Sequence, residues 1–105
     1  MKVQLLYIDG CPNWTLAEER LRQALEIVGV PATIERCLVD TQQAAERLHF
    51  VGSPSILLDG RDPFPFPSSS GTYGMTCRIY DTPEGLSGVP ITEQFAEAVK
   101  EAATA

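Results

Sequence analysis

A chain of 105 residues has room for one domain and not for two ordinary cores. Apolar residues at 44% and charged residues at 21% are globular proportions and argue against a disordered chain. The net charge of −6, with 8 basic residues scattered along the chain, argues against nucleic acid or an anionic membrane as partner.

Residues 3 to 8 read as a buried strand, ended by the turn signal Asp9-Gly10. Over residues 13 to 28, Trp14, Ala17, Leu21, Ala24, Leu25 and Val28 recur at spacings of three and four, which predicts a helix. Gly29 stops it, and Pro31 lies just beyond. Residues 32 to 39 alternate and carry β-branched side chains, as a second strand does. Asp40 or Thr41 caps a short helix that runs through Leu48. Gly52-Ser53-Pro54 is a turn, and residues 55 to 58 form a third strand ended by Asp59-Gly60. Residues 61 to 76 are a long loop, 77 to 80 a short fourth strand and 81 to 89 another loop. Residues 91 to 103 form a last helix, with Ile91, Phe95, Ala98, Val99 and Ala102 on one face.

The apolar run at the N-terminus is too short for a signal peptide, and no stretch approaches the ~20 apolar residues of a membrane helix. The expected compartment is therefore the cytoplasm, where Cys11, Cys37 and Cys77 are reduced at rest. Three widely spaced cysteines do not make a disulfide framework, and with one histidine no usual zinc pattern is present. No metal site is expected.

Cys11 is the candidate for chemistry. It stands between the first strand and the first helix, where unpaired N–H groups and the helix dipole favour a thiolate. Pro12 suits the first helical turn because its missing N–H would have had no partner there. Cys11 is accordingly expected to be partly exposed at the helix mouth.

The element order βαβα-ββα, the Cys11-Pro12 pair and the Gly52-Ser53-Pro54 turn resemble the thioredoxin-fold superfamily. The runs Cys11-Pro12-Asn13, Gly52 to Phe64 and Cys77-Arg78-Ile79-Tyr80 are similar to those of small bacterial thioredoxin-like proteins, some labelled alkylmercury-lyase-like. The resemblance implies one α/β domain over residues 1 to 105, with a four-stranded mixed sheet of order 2-1-3-4. Strands three and four would be antiparallel. The helices at 13 to 28 and 91 to 103 would share one face, and that at 41 to 48 the other. It also implies a cis-Pro54 against the reactive cysteine, with the Ser53 main chain open to a partner as an added strand.

The sequence departs from the two-cysteine motif, because Trp14 stands where the second cysteine would be. A single cysteine needs another thiol, from glutathione or from its own chain. Cys37, at the end of the second strand, could approach Cys11. Cys77, if the fourth strand runs back along the third, would lie ~10 Å further off. Trp14 could leave a ring edge beside Cys11, and Arg61 and Arg78 could meet an anion. Phe64, Phe66 and Tyr73 could cover the cysteine edge. The expected function is thiol oxidoreduction or thiol transfer through Cys11, with Ser53, Pro54 and Trp14 binding a protein or small-molecule thiol or disulfide. The alternatives are a non-catalytic binding domain and a soft-metal or organomercurial-handling protein.

Overall fold

Val3–Tyr7 forms β1, the centre of a three-stranded sheet. β2 (Ile34–Leu38) lies parallel to it, with Leu6 opposite Cys37. β3 (Ser55–Leu58) lies antiparallel on the other side, with Leu6 opposite Ser55 and Leu5 opposite Ile56. The sheet order is β2-β1-β3. This computed structural model describes residues 1–64 and 74–104.

α1 (Asn13–Val28) buries Ala17, Leu21, Ala24 and Leu25, the stripe that the spacing predicts. Gly29 ends it in the left-handed region and returns its N–H to the Leu25 carbonyl. α2 (Gln42–Arg47) is capped by Thr41, whose hydroxyl accepts from the Ala44 N–H at 3.0 Å. α3 (Thr92–Thr104) buries Phe95, Ala98 and Val99.

The alternation of β1 divides the interior in two. Val3 and Leu5 join Ile56, Leu58, Leu21, Phe95 and Val99 in the larger core, so α1 and α3 share one face. Leu6 joins Val39, Ala44, Ala45 and Phe50 on the α2 face. The distribution of helices over the two faces is as expected.

The expected fourth strand is not in this sheet. Tyr80–Thr82 forms β4 and pairs antiparallel with β5 (Gly85–Ser87), a strand that falls in the expected loop 81 to 89. Two local structures account for the difference. Asp59 and Gly60 both have positive φ and fold the chain back on itself, so that Leu58, paired with Val3 of β1, also bridges to Arg61 and not to a fourth strand. Residues 76 to 78 instead pass the turn ahead of β3, where Cys77 makes an isolated parallel bridge with Ser53. Most of the expected loop 61 to 76, with Phe66 and Tyr73, lies outside the described residues. Phe64 packs edge-on against Tyr80 and Phe95 in the larger core, which corrects its expected place over the cysteine edge. Among the described residues, no helix is long and apolar enough to cross a membrane.

Candidate functional site

Cys11 reaches the mouth of α1 by way of the Asp9-Gly10 turn, and Pro12 leads into the helix with near-helical angles, φ −74° and ψ −9°. The side chain is nonetheless buried, with 1% of the residue exposed. This corrects the expected partial exposure, and the cause is the chain itself: residues 76 to 78 lie against the turn at Ser53 beside it.

Ser53 is held on every polar atom. Its N–H donates to the Thr76 carbonyl at 2.7 Å, and its carbonyl accepts from the Arg78 N–H at 2.9 Å. The same carbonyl accepts from Cys11 Sγ at 3.7 Å, and the Ser53 hydroxyl oxygen accepts from the Ile8 N–H at 3.2 Å. The Ser53–Pro54 peptide is cis. The Pro54 carbonyl accepts from the Tyr80 hydroxyl at 2.5 Å. The expectation that the Ser53 main chain is open to a partner is therefore corrected, because the protein's own chain occupies that edge.

The same bridge places Cys77 over Cys11. The Cys77 thiol donates to Cys11 Sγ at 2.9 Å, in place of the ~10 Å offset that an antiparallel register would give. All three cysteines are free thiols, with Cys77 exposed and Cys11 buried beneath it. The thiols and the Ser53 carbonyl form a short relay from Cys77 to Cys11 to oxygen. The hydrogen bond to Cys11 raises the Cys77 pKa above the ordinary thiol value, with desolvation and the charge of Cys11 acting in the same direction.

Cys37 does not join this pair. Its place in β2 opposite Leu6 turns it to the α2 core, where it packs with Leu6, Val39 and Phe50. Trp14 packs on the Tyr7 ring at 4.5 Å between centroids, and the Arg36 guanidinium lies 5.1 Å from its own ring centre. These two contacts fix the face of the indole ring in the first turn of α1.

Arg78 is the residue whose role the sequence concealed. Rather than meeting an anion at the surface, it is buried, 5% exposed, and paired with Asp62 at 2.5 Å. It also donates to the Phe64 carbonyl at 3.1 Å and stacks on the Tyr80 ring at 4.4 Å. These contacts anchor the segment that carries Cys77. Alternation held a usable signal, since Arg78 and Tyr80 are buried while Cys77 and Ile79 are exposed. Asp62 is the carboxylate that a buried arginine at this place requires.

The arrangement can form a disulfide between Cys11 and Cys77 with little movement of the main chain. Among the described residues, no group of three histidine, cysteine, aspartate or glutamate side chains could hold a metal. Comparisons with protein-family models, with curated proteins and with solved structures give no significant match to this chain.

Proposed function

We propose that the protein is a thioredoxin-like thiol–disulfide oxidoreductase in which Cys11 works with Cys77. The observation that carries this reading is the 2.9 Å separation of the two sulfurs at the Ser53 turn. Cys77 supplies the second thiol that the Cys11-Pro12-Asn13-Trp14 run lacks. A dithiol of this kind passes two electrons to a partner disulfide and is left as an internal disulfide.

The burial of Cys11 favours a second reading, a binding domain of the same fold without redox activity. One experiment separates the two. The reduced protein is incubated with oxidised glutathione, free thiols are alkylated, and the peptides are mapped by mass spectrometry. The redox reading expects a Cys11–Cys77 disulfide with Cys37 alkylated. Alkylation of both Cys11 and Cys77 after prolonged exposure would favour the binding domain.

A further inference from the structure

We propose that Cys77, and not the helix cysteine, is the attacking thiol, that Cys11 is the resolving thiol, and that the substrate is a small-molecule disulfide. The proposal rests on the redox-pair reading and adds the order of events and the class of substrate.

Access, and not acidity, decides the order: the raised Cys77 pKa slows its attack, but burial closes Cys11 to a partner altogether. Disulfide exchange requires in-line approach of a thiolate to a sulfur, so the first thiol must be reachable from solvent. Cys77 is exposed, whereas Cys11 is 1% exposed and lies beneath it. A partner sulfur therefore meets Cys77 first. Once Cys77 carries the partner, Cys11 is already beside the Cys77 sulfur and can attack it.

The main chain decides the class. A peptide held as an added strand needs a free N–H and a free carbonyl on the docking edge. At Ser53 both are engaged, by Thr76 and Arg78 of the same chain. Gly52 backs this contact so closely that a β-carbon there would lie 2.8 Å from Arg78 Cβ. An extended peptide gains nothing at an edge already filled, whereas a small disulfide needs only the exposed sulfur. Met75 and Ile79, both exposed, give that sulfur apolar neighbours along the chain.

The Cys77 thiol loses its proton, and its thiolate attacks one sulfur of R–S–S–R. That S–S bond breaks, a mixed Cys77–S–S–R disulfide forms, and RS⁻ leaves and takes a proton. The Cys11 thiol then loses its proton, and its thiolate attacks the Cys77 sulfur. The second RS⁻ departs and is protonated. Two thiols of the protein are oxidised to one disulfide, and R–S–S–R is reduced to two RSH.

The test uses oxidised glutathione with wild type, Cys11→Ala and Cys77→Ser, with adducts mapped by mass spectrometry. Cys11→Ala should retain glutathione on Cys77, because the resolving thiol is gone. Cys77→Ser should take glutathione on Cys11 at least ten-fold more slowly. Wild type quenched in acid at early times should carry its adduct on Cys77, which guards against Cys11 being uncovered in the variant. An early wild-type adduct on Cys11 would overturn the order. A disulfide within an extended peptide that reacts ten-fold faster than oxidised glutathione would overturn the substrate class. If Cys77 takes glutathione but wild type never closes the internal disulfide, the redox-pair reading fails, and the resolving role of Cys11 fails with it. If the internal disulfide closes through Cys11, only the order proposed here fails.

Discussion

Gly52 lies directly against the backbone of Arg78, where a β-carbon would come within 2.8 Å of Arg78 Cβ and 3.0 Å of its main-chain N and Cα. Its φ of +142° is also one that side chains rarely adopt. Residues 76 to 78 therefore reach Ser53 only because position 52 has no side chain. Gly52→Ala should push this segment outward and separate the two sulfurs. The expected cost is ~1–3 kcal/mol in urea unfolding. Closure of the Cys11–Cys77 disulfide should slow by about ten-fold or more, since misplacement of ~1 Å is enough for such losses. Closure at the wild-type rate would show that the close contact does not seat Cys77.

Arg78 and Asp62 form a pair with side-chain exposures of 4% and 16%. Asp62→Asn keeps the shape and removes the compensating charge. Leaving a buried arginine uncompensated costs ~3–5 kcal/mol, and equilibrium unfolding in urea would measure it. Arg78→Lys should also lose stability although it keeps the charge, because an ammonium lacks the fork that reaches both Asp62 and the Phe64 carbonyl. A loss below ~1 kcal/mol for either variant would show that water reaches the site.

Periodic features were legible in the sequence, and contacts between distant segments were not. The stripe from Ala17 to Leu25 and the cap at Thr41 are local patterns, and both elements form where those patterns place them. The special places of Cys11 and Pro54 were also readable, because a strand–helix junction and a turn before a strand are local too. The partner of Cys11 was not readable. It depends on whether residues 76 to 78 meet β3 or the turn ahead of it, and on a parallel or antiparallel sense. A register error of this kind moves a side chain by several residues' length. Arg78 misled for a related reason, since an arginine is read as surface unless its carboxylate is known to lie beside it.

Glu18 provides a test in acid. Its side chain is 8% exposed and lies 2.6 Å from Arg36 and 2.8 Å from Arg22. The hydrogen bond from Arg36 is the largest influence and lowers the Glu18 pKa. Burial opposes it, and the charges of both arginines reinforce it. A carboxylate with a lowered folded pKa adds stability above its unfolded value of ~4.3, and this is lost as pH falls through the folded value. Unfolding in urea at pH 7 and at pH 3 should show this loss for wild type. Glu18→Gln should be less stable at pH 7 and lose less on acidification. An equal acid loss in both proteins would assign it to other carboxylates.

The Cys77 thiol carries the corresponding test in alkali. Its hydrogen bond to Cys11 Sγ, at 2.9 Å, is the largest cause of its raised pKa, so removing Cys11 should remove most of the shift. Iodoacetamide reacts with the thiolate, and its rate at Cys77, mapped by mass from pH 5 to 11, should rise with a midpoint above the ~8.5 of a free cysteine. In Cys11→Ala the midpoint should fall back toward that value. The sign for stability follows from the same shift. A folded pKa above the unfolded one adds stability below about pH 8.5, and this is lost as pH rises through the folded value. Wild type should therefore lose stability in mild alkali by more than Cys11→Ala does, in urea unfolding at pH 7 and pH 10. If the Cys77 midpoint is the same in both proteins, the hydrogen bond is not its cause, and the two sulfurs do not meet in solution.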